Sequence, residues 1–189
     1  MPAAPARVIH AASSADVARL SRVKGLLSEY RGLAPDELQA VMIQLQATLG
    51  SATTTSTNDY KVPGDMDLFV LQMWAFLRFT ALDAEDQTLL GFLNLTPTER
   101  WLVKAQNCTV RVENVDNKNR FTENNDPNLS SMMPPMGYPV VWLPEAPMVV
   151  PKGHTVRGTF TLQDTDSDIV SGNTVYGVSL VGVLVPRDD

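Results

Sequence analysis

The chain of 189 residues contains one cysteine, two histidines and no long apolar run. The single Cys108 excludes an intramolecular disulfide and a zinc site built from several thiolates. His10 and His154 are too few for the cluster of imidazole ligands that a cupin-type metal centre requires. A membrane-spanning helix needs about 20 consecutive apolar residues, and the first residues lack the apolar core of a secretory signal. We therefore expect no cofactor, no metal and no membrane partner.

Motifs for catalysis and nucleotide binding are also missing. The sequence contains no G-x-x-x-x-G-K-[ST], G-x-G-x-x-G or G-x-S-x-G pattern. His154 lies in "PKGHT", a predicted turn before a strand, where a surface histidine is expected. Asp164, Asp166 and Asp168 have the first spacing of a calcium loop. This loop lacks the glycine at its sixth position, and Val175 replaces the bidentate glutamate. We predict no catalytic residues and interpret the protein as a non-enzyme.

Charge is low but unevenly distributed. The net charge of −6 disfavours nucleic acid as a partner, because such binding needs a basic face. Residues 1–32 carry five basic and two acidic side chains, a net charge of +3, which leaves −9 for the remainder. We expect Arg19, Arg22 and Lys24 in this basic segment to bind an acidic partner or a neighbouring copy. A solvated helix face is the alternative.

The first 50 residues predict two helices that form a hairpin. Ser13 or Ser14 can cap the first helix, and Gly32 ends it. Its apolar stripe consists of Val17, Leu20, Val23, Leu27 and Tyr30. Pro35 fits the first position of the second helix, and Gly50 ends that helix. Its apolar face consists of Leu38, Val41, Met42, Leu45 and Leu49. Residues 51–59, "SATTTSTND", predict a linker and a domain boundary.

From Tyr60 onward the apolar residues recur with a period of two. In "NCTVRVEN" the apolar set is Cys108, Val110 and Val112, and "TVRGTFTL" alternates in the same way. Such alternation is typical of antiparallel strands with one buried face. "TPTE", from Thr96 to Glu99, predicts a short helix through about Lys104. We predict an antiparallel β-sandwich over residues 60–189 that folds without the helical hairpin.

Two nearly continuous apolar segments predict strands of this sandwich. They are "MDLFVLQMWAFLRF" and "VYGVSLVGVLV", both rich in β-branched or aromatic residues. The second predicts a long central strand that is buried on both faces. Gly177 and Gly182 would permit close packing there, and Pro186 would end the strand.

A long irregular segment, residues 114–139, is polar at first and then apolar. Its apolar part contains Met132, Met133, Met136 and Tyr138 beside several prolines. Long loops in compact domains are often functional, and methionine adapts to irregular contacts. We predict that these four residues bind a partner. The alternative is a loop that packs over its own core.

Four segments together resemble jelly-roll structural proteins of tailed-bacteriophage particles. They are "YKVPGDMDLFVLQ", "RVENVDNKNRF", "MGYPVVWLPEAPMVVPKGHTVRGTFTL" and "YGVSLVGVLVP". Their shared order is an early apolar strand, a polar "N-x-D" turn, a "P-x-G" turn and a final "G-V-x-L-x-G" strand. The resemblance covers about residues 60–187. It implies a jelly-roll-like sandwich and a minor virion protein that decorates or cements the head, or lies at a vertex or collar.

The same resemblance implies the partners and the location. The protein would form a homo-oligomer such as a trimer or ring. It would bind other virion proteins, such as the major capsid or portal and collar proteins. It would be made in the host cytoplasm and reside in the virion.

Two other functions stay open at this stage. Trp74, Trp101 and Trp142 could stack on sugars in a carbohydrate-binding module, although packing in the core is the commoner role of tryptophan. A small hydrolase with paired carboxylates is a less favoured possibility, since nothing in the sequence brings two carboxylates together.

Overall fold

A computed structural model of the chain describes residues 7–8, 38–50, 52–79, 97–122, 126–133, 148–164 and 174–187. These residues form nine strands, one α-helix and one 3-10 helix. The strands are β1 (Arg7–Val8), β2 (Gln39–Leu49), β3 (Thr55–Lys61), β4 (Met66–Phe79), β5 (Cys108–Asn114), β6 (Asn119–Arg120), β7 (Met148–Val150), β8 (Thr155–Leu162) and β9 (Thr174–Pro186). Helix α1 spans Pro97–Asn107, and the 3-10 helix spans Leu129–Met132.

The strands form two antiparallel sheets. The five-stranded sheet has the order β1-β2-β9-β4-β7, and the four-stranded sheet has the order β3-β8-β5-β6. The pairs are nested along the chain: β5 pairs with β6, β4 with β7, β3 with β8 and β2 with β9. Three further pairs, β1 with β2, β4 with β9 and β5 with β8, complete the sheets. The described fold is therefore mainly β, as the sequence predicts, and compatible with a β-sandwich.

One hydrophobic core contains residues from both sheets. Ile43 and Leu180 of the five-stranded sheet are buried in it together with Val110 and Phe160 of the four-stranded sheet. Alternation produces this arrangement, because every second side chain of a strand points to the same face. In β8 the buried and half-buried residues alternate without exception. The period-two interpretation of "NCTVRVEN" and "TVRGTFTL" is confirmed.

Strand β9 is the central strand of its sheet, as predicted. It pairs with β2 on one side and with β4 on the other, and each residue from Tyr176 to Val185 is buried. A strand covered on both faces needs apolar residues at every position, which explains the unbroken apolar sequence. The strand ends at Pro186, which has no N–H to donate to a further ladder bond.

The prediction of a second N-terminal helix is wrong. Residues Gln39–Leu49 form β2, which pairs with β9 along its whole length. The apolar residues of this segment satisfy two periods. A helix is fitted by residues at steps of three and four, which are Leu38, Val41, Met42, Leu45 and Leu49. A strand is fitted by residues at steps of two, which are Val41, Ile43, Leu45, Ala47 and Leu49. Pairing with β9 decides between them, because tertiary contacts override weak local preferences. The first predicted helix lies outside the described residues.

The predicted linker is also partly a strand. Thr55 to Asp59 belong to β3, which pairs with β8 at the edge of the four-stranded sheet. Threonine has a high β propensity, and its polar side chain suits an exposed edge. The helix predicted from "TPTE" is confirmed as α1, which ends at Asn107, three residues beyond Lys104.

Candidate functional site

The structure places two of the residues that the sequence predicts at an interface. Met133 is only 7% exposed and belongs to the core, and the partly buried Met132 packs against that core. They lie at the 3-10 helix, whose Leu129 is fully buried. In this part of residues 114–139 the loop therefore packs on the protein's own core, which is the alternative that the sequence left open. Arg19, Arg22, Lys24, Met136 and Tyr138 lie outside the described residues.

The outer face of the four-stranded sheet carries a row of alternating charges. Register aligns Asp59 of β3 with Arg157 of β8, then Glu113 of β5 and Arg120 of β6. The guanidinium of Arg157 donates two hydrogen bonds to the Asp59 carboxylate, each 2.7 Å long. Cross-strand pairs of opposite charge stabilise a sheet modestly. We call this set, with Arg111 and Asp126, the charged row.

Arg111 is the member of the charged row that binds the loop after β6. Its Nε and Nη2 donate to the two Asp126 carboxylate oxygens at 2.9 and 2.7 Å. The hydrogen bond to Asp126 raises the pKa of Arg111, and Asp59 raises the pKa of Arg157 likewise. Both guanidiniums therefore remain charged. The row has three acidic and three basic members, so its charges cancel and it provides no strong field for an ionic ligand.

Threonines occupy the neighbouring positions of this face. Register aligns Thr55, Thr161 and Thr109 in one row, and Thr57 and Thr159 with Arg111 in the next. Thr109 Oγ1 donates to the backbone oxygen of Thr161. The outer face is thus polar, and its charged row is electrically neutral. Its chemistry suits hydrogen bonding to another protein surface better than the binding of a charged small molecule.

The loops at one end of the two sheets are joined by a separate set of hydrogen bonds. Thr155 N–H donates to Asp116 Oδ2 at 2.7 Å, which joins β8 to the turn between β5 and β6. Gly153 N–H and Val62 N–H join the β7–β8 loop to the β3–β4 loop at 3.1 and 2.9 Å. Asp67 accepts from the N–H of Lys152 at 2.9 Å. Because backbone groups make most of these bonds, this end presents a fixed surface.

His154 has a structural position in this cluster. The side-chain oxygen Oδ1 of Asn114 accepts a hydrogen bond from the N–H of Asp116, which fixes the orientation of the Asn114 side-chain amide. The Asn114 Nδ2 then faces His154 Nδ1 at 3.2 Å. An amide nitrogen only donates, so Nδ1 accepts and the ring proton lies on Nε2. Among the described residues no serine hydroxyl hydrogen-bonds to this ring, so the geometry provides no catalytic triad.

Cys108 is buried in the core. Burial raises the pKa of its thiol from 9.0 to about 12. The thiolate is the nucleophilic form of cysteine, so Cys108 is a packing residue and not a catalytic one. The sequence already indicated that Cys108 is buried, because this residue occupies the apolar side of an alternating strand.

The aspartate motif is only partly described. The Asp164 backbone exchanges two hydrogen bonds with the Asn107 side chain, at 2.7 and 2.9 Å, which join β8 to the end of α1. Asp166 and Asp168 lie outside the described residues. No group of three or more His, Cys, Asp or Glu side chains that could hold a metal occurs in the described part of the chain.

The tryptophans do not form an exposed aromatic platform within the described structure. Trp74 is half-buried on β4. Trp101 lies in α1 with no side-chain description, and Trp142 falls outside the described residues. Within the described ranges, no helix is long and apolar enough to cross a bilayer.

Comparisons with known proteins give no family. No protein-family model matches the chain, and no curated protein matches its sequence.

The sequence did not predict two features of this region. One is the pairing of Arg111 with Asp126, and the other is the hydrogen-bonded end around Asn114. Asn114 was a detectable candidate, because "N-x-D" turns commonly place an asparagine oxygen on the N–H two residues later. No local signal marks Asp126.

Proposed function

We propose that the protein is a structural virion protein of a bacteriophage, which decorates or cements the head, or lies at a vertex or collar. In this role it acts by self-association and by binding other virion proteins. The observation that carries the proposal is the nested pairing of β2 to β9. A jelly roll is a long antiparallel ribbon folded into two sheets, and viral capsid domains commonly have this fold.

The strand orders fit a jelly roll in detail. Counting β2 to β9 as strands one to eight, the two sheets read one-eight-three-six and two-seven-four-five. The order follows from folding a ribbon in which the first strand pairs with the last. Lectin domains and cupins share the fold. The two histidines of the sequence cannot supply a cupin-type metal centre.

Surface chemistry supports a structural role over an enzymatic one. The charged row is internally neutral, the loops at the Asn114 end are held by backbone hydrogen bonds, and the one cysteine is buried. Such surfaces suit contacts between subunits, which use many weak hydrogen bonds and shape complementarity. The basic segment of residues 1–32 supplies charge complementary to the acidic remainder.

Light scattering and electron microscopy of the purified chain test this proposal. We expect a closed oligomer whose mass falls at high salt, because exposed charges are screened beyond about 8 Å at physiological ionic strength. The double variant Arg19→Glu with Arg22→Glu should dissociate at low salt. Arg19→Lys with Arg22→Lys is the matched control, since it alters the same two side chains and keeps their positive charge.

A monomer under all conditions, or equal loss of mass in both double variants, would refute self-association through the basic segment. Glycan-array binding without assembly would favour the carbohydrate-binding alternative. Met133→Asp is not a useful probe of the interface, because Met133 is buried in its own fold.

A further inference from the structure

The outer face of the five-stranded sheet is more apolar than a solvent-exposed face should be. Register aligns the residues of this face in rows across the strands. The first rows contain Val185 and Asp67, then Ala40, Val183 and Phe69, then Met42, Val181 and Gln72; Leu38, one residue before β2, belongs to the same hydrophobic cluster as Val185. The following rows contain Gln44, Ser179 and Trp74, then Gln46, Gly177 and Phe76. We call this set the outer apolar face.

This face is buried or half-buried from the end where β2 begins as far as Gln46 and Phe76. Leu38 is 1% exposed, Val183 is 0% and Phe69 is 7% at the end where β2 begins. Leu38, Phe69, Val183 and Val185 form a hydrophobic cluster that is separate from the main core. At the opposite end, Thr48 and Arg78 are exposed. A large aromatic side chain on an open sheet face cannot be so nearly buried by its sheet neighbours alone.

Among the described residues, no helix or strand packs on the outer apolar face, and at its first row the β7–β8 loop and Arg187 contact Asp67. Helix α1 and the 3-10 helix contribute Ala105 and Leu129 to the main core on the other side of the sheet. The face nevertheless contains two buried polar atoms, Ser179 Oγ and Gln46 Oε1, with no hydrogen-bond partner. Ser179 itself is 1% exposed. Polar atoms on an open sheet face would be hydrated, so the burial of both atoms indicates that water is kept away from this part of the face.

We propose that residues 13–32 of the same chain cover the outer apolar face as an amphipathic helix. Two observations select this segment, and its length provides a third. It is connected through five residues to Leu38, which belongs to the hydrophobic cluster at the first rows of the face. Its predicted stripe of Val17, Leu20, Val23, Leu27 and Tyr30 provides a continuous apolar side for the contact.

The lengths also agree. A helix of residues 14–31 is about 27 Å long at 1.5 Å per residue. The distance along the chain from Leu38 to Gln46 is about 26 Å at roughly 3.3 Å per residue. A helix of this length that starts from the Leu38 end would stop before Thr48, which is where the face becomes exposed.

Two other segments outside the described residues fit the face less well. Residues 80–96 follow Phe79, which is next to the exposed Arg78 at the wrong end of the face. Residues 134–147 contain five prolines, and proline interrupts helices and central strands. The inference does not depend on the proposed virion function, because it concerns the cover of a single chain.

A thiol-protection experiment on the full-length chain tests the proposal. Ser179→Cys introduces a thiol of nearly the same size on the outer apolar face. The natural Cys108 lies in the main core and reports whether that core opens. Iodoacetamide labelling, with the modified peptide identified by mass spectrometry, measures both thiols in one sample. We expect neither thiol to react appreciably in the native chain with Ser179→Cys alone.

Leu20→Asp then removes the contact, and Ala18→Asp is its matched control. Both add one carboxylate to the same segment, but residues two apart lie on different sides of a helix. We expect Leu20→Asp to raise the labelling rate of the introduced thiol by about tenfold or more, because local opening then exposes the face. Ala18→Asp should leave this rate unchanged, and Cys108 should stay protected in both.

Three results would overturn the proposal. One is rapid labelling of the introduced thiol in the chain that carries only Ser179→Cys, which would mean that nothing covers the face. Another is an equal effect of Leu20→Asp and Ala18→Asp. The third is protection that disappears on dilution, which would show that the cover comes from a second copy. Simultaneous exposure of Cys108 would mean global unfolding, and Leu27→Ala, a milder change in the same stripe, then decides by the same criterion.

Discussion

At the residue scale, two glycines of β9 determine how closely its neighbours approach. A Cβ atom on Gly177 would overlap the ring of Phe76, which lies across the ladder. A Cβ atom on Gly182 would overlap the backbone oxygen of Phe69, beside the irregularity between Val70 and Gln72. A ring can rotate away, whereas a paired backbone cannot move without loss of the ladder. Gly182 is therefore the stricter requirement.

We predict that Gly182→Ala destabilises the protein by about 1–3 kcal/mol, the usual cost of overpacking. Urea denaturation followed by circular dichroism measures the change. Gly64→Ala is the control, because its new Cβ would meet nothing within 4 Å; we expect a change within about 0.5 kcal/mol there. Equal stability of Gly182→Ala and the native chain would show that β4 adjusts freely at the bulge.

The buried Cys108 gives a prediction about pH. Since burial raises the pKa of its thiol from 9.0 to about 12, the folded state favours the protonated form. Its contribution to stability is present below pH 9 and is lost as the pH rises toward 12. We expect iodoacetamide to label the native chain very slowly at pH 8 and to label it rapidly in urea. Equal rates in the two conditions would contradict the buried position.

At the element scale, β2 shows how one segment can satisfy two periodic patterns. Its apolar residues fit a helix at steps of three and four, and a strand at steps of two. Only the strand lets Ile43, Leu45 and Leu49 enter the main core while the backbone pairs with β9. Residues 39–49 are thus an integral part of the five-stranded sheet.

We predict that residues 60–189 do not fold alone, contrary to the expectation from sequence. Without β2 and β3, the central strand β9 would have one unpaired edge, and the four-stranded sheet would lose its edge strand. The fragment should be molten or insoluble. Near-UV circular dichroism of the fragment and the full chain gives the comparison. A native-like spectrum with a cooperative melt would show that β2 is dispensable.

At the scale of the whole molecule, the nested pairing makes the fold depend on contacts between distant parts of the chain. β2 pairs with β9 across almost the whole described sequence, and β3 pairs with β8. No single hairpin can bury the common core, so the two sheets should form together. Polar cross-links such as Asn107 with Asp164 then join the elements.

We predict that chelation does not change the stability. The described residues contain no group of ligands that could hold a metal, and the aspartate motif lacks the residues of a calcium loop. Melting curves with EDTA and with added calcium should coincide. A shift of many degrees in either direction would mean that Asp164, Asp166 and Asp168 bind a cation.

The sequence was sufficient for features that depend on local pattern. Alternation in β5 and β8 is visible in single segments, because a half-buried strand needs an apolar residue at every second position. The unbroken apolar segment of β9 indicated a central strand, and "TPTE" indicated the start of a helix. For the candidate surfaces, the sequence suggested interface residues, but two of these, Met132 and Met133, pack on their own core.

Tertiary structure decided the features that have two local solutions. β2 and the threonine-rich β3 became strands because β9 and β8 offered unpaired backbone groups, whose hydrogen bonds outweigh weak local propensities. The pairing of Arg111 with Asp126 and the orientation of Asn114 depend on loops that meet only after both sheets form. Local sequence sets which face of a strand is apolar. Which strands pair depends on contacts between distant residues, because their energy is gained only when the whole core closes.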